Sequence, residues 1–314
     1  MSDSTGTDRI AQAIEGARQE GRPALLAALP CELGADRLRL AMKTAADAGA
    51  DLLELRVELI RWQYLNVEAL VDCIRASNEL ISVPVLIWLK ADSPKEFRIA
   101  VEHLPDLVPL LADAGTAGLV GRVPPDLVDA WADACGDRIA PVFMVGMGVQ
   151  LDPDSSLCKR ARGFFYGIHT GARRLTFAEV VASSEGSVRA ARAATGLPVF
   201  VAAGIRTPPQ AAVLAGLCDG IAVATGTFGA LDTVLSQSSR DFTALRDTVQ
   251  GLREGLERGA TIEALEKYGG YPWQPSRTYR PLFYPEDSEA VARHGFGITD
   301  ADIAEAQADT ELKG

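Results

Sequence analysis

Long hydrophobic runs, paired cysteines and clustered basic residues are all missing from this chain, and each absence removes a class of protein. No apolar stretch approaches the roughly 20 residues a membrane helix requires. The polar start, Met1 to Asp8, lacks the basic-then-apolar layout of a signal peptide. The five cysteines, Cys31, Cys73, Cys135, Cys158 and Cys218, are odd in number and show no CxxC spacing. That speaks against a disulfide framework or a zinc site and fits a reducing cytoplasm. Lys and Arg total 31 against 42 Asp and Glu, a net charge of −11, and no basic run is present to neutralise nucleic-acid phosphates. The expectation is a cytoplasmic protein with no membrane, nucleic-acid or metal partner, acting on a small molecule. With 47% hydrophobic and 23% charged residues among 314, the composition is that of an ordinary globular chain.

What is present is a regular alternation. Strand candidates are Pro23–Leu29, Asp51–Val57, Val83–Leu89, Ala117–Val120, Ile139–Val145, Gly163–Ile168, Leu197–Ala202 and Gly220–Ala224. They are nearly continuous in apolar character, as parallel strands buried on both faces are. Helical patterns lie between them at Asp36–Ala48, Val67–Ser77, Pro105–Ala114, Pro125–Cys135, Phe177–Ala194 and Pro208–Leu217, with Asp241–Lys267 reading as a closing helix pair. Eight strands, most followed by a helix, predict an α/β fold of the closed (β/α)₈ barrel type. An open doubly wound sheet would usually offer GxGxxG after its first strand, and the turn here is Pro30-Cys31-Glu32-Leu33-Gly34. The barrel is assigned to residues 1–266. Residues 267–314 form a C-terminal extension rich in aromatics, Pro and Arg and then in acids, expected to pack on the barrel or a partner, with a lid as the alternative.

Barrel enzymes carry their sites at the carboxyl ends of the strands. On the second strand, alternation places Glu54 and Arg56 on one face and Leu53, Leu55 and Val57 on the other. A carboxyl group inside the barrel is a candidate general acid/base, because burial raises its pKa, while Arg56 beside it favours the ionised form. After strands seven and eight come Gly204-Ile205-Arg206-Thr207 and Ala224-Thr225-Gly226-Thr227, small-residue turns suited to holding a phosphate on backbone N–H groups. Strand six runs through Tyr166 into a basic loop with His169 and Arg173, candidate substrate contacts. Glu58 and Lys90, at the ends of strands two and three, are further candidates.

These segments resemble the tryptophan synthase alpha-chain family. The likeness runs over roughly residues 8–265 and is clearest in Gly49-Ala-Asp-Leu-Leu-Glu-Leu, Gly163-Phe-Phe-Tyr, Leu197-Pro-Val-Phe-Val-Ala-Ala-Gly-Ile-Arg and Cys218-Asp-Gly-Ile-Ala-Val-Ala-Thr-Gly. The resemblance implies a phosphate-binding barrel, without metal or organic cofactor, that cleaves indole-3-glycerol phosphate into indole and glyceraldehyde 3-phosphate. It implies that Glu54 moves a proton at the ring carbon, that Tyr166 lines the pocket, and that Gly204 and Ala224-Thr225 hold phosphate. It leaves open a homo-oligomer or a β-type partner subunit. The departures are specific. Leu65 falls where the family has a second acid, so Glu58 or Glu68 would have to substitute, and Arg56 replaces a glycine. Together with Arg173 and Arg174, Arg56 points to a more anionic phosphorylated substrate. Two alternatives stand beside this reading. One is a non-catalytic barrel that binds a phosphorylated ligand or a partner enzyme. The other follows a likeness of Glu54-Leu-Arg-Val-Glu to the Glu-x-Arg-x-Asp strand of type I 3-dehydroquinate dehydratases, whose Schiff-base lysine could only be Lys90 here; a solvated rim lysine is the expectation for that position.

Overall fold

The computed structural model describes residues 4–33, 35–58, 67–91, 93–168, 177–202, 204–223 and 242–259. Its eight strands are β1 (Ala24–Pro30), β2 (Leu52–Glu58), β3 (Val85–Lys90), β4 (Thr116–Gly121), β5 (Ala140–Gly146), β6 (Phe165–Ile168), β7 (Val199–Ala202) and β8 (Gly220–Val223). Each pairs in parallel with the next, and β8 closes on β1, giving a (β/α)₈ barrel. Every predicted strand is present, within two residues at each end.

The continuous apolar strands have a direct physical reading, because alternate residues feed two separate cores. Leu53, Leu55 and Val57 of β2 and Val85, Ile87 and Leu89 of β3 pack outward under the helices. Leu52, Leu86, Val142, Met144, Tyr166 and Phe200 fill the barrel interior. Neither face of a strand meets water, so no polar alternation survives in the sequence.

The helices are α1 (Gly6–Gln19), α2 (Ala35–Asp47), α3 (Val67–Asn78), α4 (Pro94–Asp113), α5 (Val128–Cys135), α6 (Ser156–Arg160), α7 (Phe177–Thr195), α8 (Pro208–Leu214) and α9 (Thr243–Arg258). Helix α1 closes the amino-terminal end of the barrel: Ile10, Ile14 and Ala17 belong to the interior core. Its Arg9 guanidinium donates to the carbonyls of Gly115 and Thr116 at 2.8 and 2.9 Å. Nearby, the buried Arg22 donates to both carboxylate oxygens of Asp51 at 2.6 and 2.8 Å, to Glu20, and to the Pro23 carbonyl. Glu20 also accepts from Arg253 of α9 at 2.6 Å, so one charged cluster joins the entry to β1, the entry to β2 and the closing helix.

The helices differ from the sequence expectation in several places, among them the end of α8 at Leu214 rather than Leu217. Helix α4 begins at Pro94, eleven residues before the expected Pro105, with Ser93 as its N-cap accepting from the Glu96 N–H. Pro105 and Pro109 then sit inside it. Both are exposed and four apart, so they share the solvent face, where water can satisfy the carbonyls they leave unbonded. Residues 125–127, expected as helix, form a 3₁₀ turn ahead of α5. The closing pair is described only as α9. The extension 267–314 and the remainder of the second helix lie outside the described residues.

Helix α9 packs on α8 through a glycine. A Cβ at Gly255 would stand 2.2 Å from the Pro208 carbonyl oxygen and 2.9 Å from its carbon. Gly255→Ala should therefore lose about 2 kcal/mol despite alanine's better helix propensity. The same change at exposed Gly16, where a Cβ meets nothing within 4 Å, should gain roughly 0.5–1 kcal/mol. Urea midpoints of the two variants check the pair.

Candidate active site

Strand β2 passes through the middle of the barrel wall, with Ala28 of β1 and Leu86 of β3 in register on either side of Glu54. Glu54 points inward, as alternation predicts, and is 0% exposed. Among the described residues neither of its carboxylate oxygens has a hydrogen-bond partner. Burial in this apolar interior pushes its pKa up to about 8, and the Arg56 charge pulls in the opposite direction without overcoming it. At neutral pH the group is mostly a neutral acid with a proton to give.

Tyr166 of β6 stands across the barrel from β2 and is 2% exposed. Burial first, and the Glu54 charge second, hold its hydroxyl well above the usual tyrosine range, so it remains a neutral phenol. Phe164 packs between Tyr166 and Phe200, with ring centroids 5.8 and 4.1 Å away respectively. These rings belong to the same interior core as Ala28 and Leu86, the strand neighbours of Glu54.

One step nearer the carboxyl ends, Arg56 is half-buried and in register with Pro30 of β1 and Trp88 of β3. Its carbonyl accepts the Cys31 thiol at 2.5 Å, which ties the start of the turn after β1 to β2. Lys90 ends β3 and is only 8% exposed. The expectation of a solvated rim lysine is thereby overturned: Lys90 follows Leu86 and Trp88 on the inward face, and that parity takes it into the barrel mouth. Among the described residues, Trp88 is an inward residue that the sequence reading passed over. Counting by twos along β3 from Leu86 finds it.

After β7, Gly204 has φ +62°, a left-handed conformation that glycine adopts at no steric cost. Ile205 is buried. The backbone N–H of Arg206 donates to the Gln210 side chain at 2.8 Å and that of Thr207 at 3.2 Å, as part of the capping box that starts α8. These two N–H groups serve the start of the helix. Glu58 ends β2 in register with Lys90, but its side chain is not among those described. Ala224, Thr225, Gly226, His169, Arg173 and the Leu65 position all lie outside the described residues. Among the described residues no helix is long and apolar enough to cross a membrane, and no group of three His, Cys, Asp or Glu is placed to hold a metal ion.

Fold and site together define a (β/α)₈ barrel with a carboxyl group, Glu54, buried in its interior. No protein-family model matches the chain. Curated relatives do: the tryptophan synthase alpha chain of Streptomyces avermitilis is 26% identical over 272 residues, covering 80% of this chain and 94% of the relative. That of Streptomyces coelicolor is 28% identical over 232 residues, 67% of this chain and 83% of the relative. Among solved structures, Mycobacterium tuberculosis tryptophan synthase matches with a TM-score of 0.65 at 22% identity, over 80% of this chain and 99% of that one. The chain is thus similar to tryptophan synthase alpha chains over most of its length.

Proposed function

We propose that this chain is a carbon–carbon lyase of the tryptophan synthase alpha type, cleaving indole-3-glycerol phosphate or a related phosphorylated small molecule by retro-aldol fragmentation. The observation that carries the reading is Glu54, a carboxyl group sealed inside the barrel, without a hydrogen-bond partner among the described residues and protonated at neutral pH. A group in that state can act twice. As an acid it gives its proton to the ring carbon that bears the side chain. The ring, now electron-poor, takes up the electron pair of the carbon–carbon bond as that bond breaks. The carboxylate left behind accepts the proton of the adjacent hydroxyl, which becomes the aldehyde of glyceraldehyde 3-phosphate, and the aromatic ring leaves as indole. One residue serves as acid and then base, and ends the cycle protonated as it began.

In this reading the phosphate sits on the Gly204–Ile205 backbone and the turn 224–226, and Tyr166 lines the opposite wall. Holding the remote phosphate fixes the reacting bond beside Glu54, so binding energy serves orientation. The names of the relatives as alpha chains support a β-type partner subunit in the cytoplasm. A self-assembly is the alternative, which light scattering of the full chain alone and with such a subunit separates. The lyase reading itself is tested by incubating the full chain with indole-3-glycerol phosphate and following glyceraldehyde 3-phosphate through a coupled dehydrogenase. Release that depends on Glu54 is expected; release no greater than that of Glu54→Gln overturns the reading.

A further inference from the structure

The exposed apolar surface of the barrel is unevenly placed. Five large hydrophobic side chains are exposed among the described residues. Four of them, Leu40, Leu80, Ile99 and Leu110, at 46 to 57%, lie on α2, just past the end of α3, and on α4. These helices follow one another around the barrel. Helix α2 packs on α3, and the Asn78 side-chain amide at the end of α3 donates to the Ala114 carbonyl at the end of α4 at 2.7 Å. Single exposed leucines are ordinary, but a row of them on neighbouring helices marks a contact surface. The same flank carries surplus acid. Glu79, Glu102 and Asp106 are exposed and have no ion pair among the described residues. Glu102 and Asp106 stand four apart on one helix, where like charges repel.

The chain itself carries a segment of matching chemistry, and it leaves the barrel next door. Helix α9 packs on α2, its Arg253 reaches Glu20 and the Gly49 carbonyl at 2.6 and 3.4 Å, and residues 260–314 follow. Residues 268–285 contain six aromatics, four prolines, Arg277 and Arg280, and no acid, in a chain of net charge −11. We propose that this segment docks on the flank of its own barrel, as a strap across α2, α3 and α4. Its rings cover the exposed leucines, and its two arginines answer Glu79, Glu102 and Asp106. The reach is sufficient. Crossing three helices at 8–10 Å each takes about 30 Å, and eighteen residues of extended, proline-rich chain span about 55 Å. The flank lies outside the barrel wall, so a strap there leaves the mouth above Glu54 uncovered, in contrast to a lid.

The test places a photocrosslinker in the full chain as Trp273→p-benzoylphenylalanine. Irradiation and peptide mass mapping should give adducts within one chain, on residues 36–47, 67–81 or 94–113. Adducts on the loops at the carboxyl ends of the strands would make the segment a lid, and adducts found only in covalent dimers would make it an arm to a second copy. Either result, or no adduct at all, overturns the strap. A second measurement times trypsin cleavage after Arg277 in the full chain. Leu80→Glu combined with Leu110→Glu, both exposed positions, should speed that cleavage at least tenfold. Val149→Glu, equally exposed but after β5 at the other end of the barrel, should leave it within twofold. A rate unchanged by the paired substitutions, or raised as much by Val149→Glu, overturns the docking. Neither readout depends on turnover, so the strap and the lyase reading stand or fall separately.

Discussion

Glu54→Gln is expected to lower turnover by roughly a thousandfold while leaving KM for a phosphorylated substrate nearly unchanged, the loss typical of removing a positioned proton donor. The amide keeps the size of the side chain and gives no proton. The same substitution should make the protein more stable at alkaline pH, and the sign follows from burial. In the folded chain the Glu54 pKa is raised to about 8 from its ordinary 4.5. Below about pH 4.5 both folded and unfolded states hold the proton, and the group is neutral to stability. Between that pH and about 8 the unfolded state loses its proton while the folded state keeps it, so stability falls as pH rises. Above about pH 8 the folded state carries the full burden of a buried charge. At pH 7 the difference amounts to about 3 kcal/mol. Urea unfolding of both proteins at pH 5 and pH 8 should give nearly equal midpoints at the lower pH and a clearly higher midpoint for Glu54→Gln at the upper. Coinciding curves at pH 8 would mean that Glu54 is already ionised and solvated, leaving the reaction without its acid.

The second large effect is expected at the opposite end of the barrel. Arg22→Met should destabilise the fold by about 3–5 kcal/mol, the usual result of stripping one partner from a buried ion pair. The Arg22 side chain is 1% exposed and that of Asp51 13%. Without the guanidinium, Asp51 is left as a largely buried negative charge whose oxygen still accepts the Leu25 N–H at 2.7 Å. Adding Asp51→Asn, which removes that charge and keeps an acceptor, should recover a good part of the loss. Calorimetric melting of the single and double variants measures both. A single variant within 1 kcal/mol of the parent would show that the network around Glu20 and Arg253 holds without its centre.

Most of the architecture was legible in the sequence because the barrel buries each strand on both sides. Such strands read as unbroken apolar runs, and eight of them in order leave few alternatives to closure. The inward placement of Glu54 was legible for a related reason. On β2 the run is interrupted at Glu54, Arg56 and Glu58, each two positions from the next, so alternation assigns Glu54 and Arg56 to one face. The start of α4 was misplaced because Pro105 and Pro109 look like helix openers, while the true opener, Ser93-Pro94 with Glu96, lies eleven residues earlier. Prolines on the solvent face of a helix interrupt hydrogen bonds that water can replace, and periodicity alone does not reveal which face they occupy. Lys90 was misread as a rim residue because a lysine at a strand end is usually solvated. Its burial depends on the parity of β3, where Trp88 precedes it on the same side. The use of the Arg206 and Thr207 amides by Gln210 is a tertiary detail with a faint local trace, the Thr-x-x-Gln spacing that marks a capping box.

The packed, mutually tilted rings of Phe164, Tyr166 and Phe200 have a role beyond filling volume. They share the interior core with Ala28 and Leu86, the strand neighbours of Glu54, and burial in that core is the insulation that weakens the acid. Loosening that insulation, as in Phe200→Ala, would admit water toward Glu54 without touching a reacting atom. The carboxyl group would become a stronger acid, and the pH range over which it stays loaded would slide downward. Tuning the working pH of this barrel is thus a matter of hydrocarbon packing, open to mutation at Phe164 and Phe200, to which the lyase reading gives no part in the chemistry.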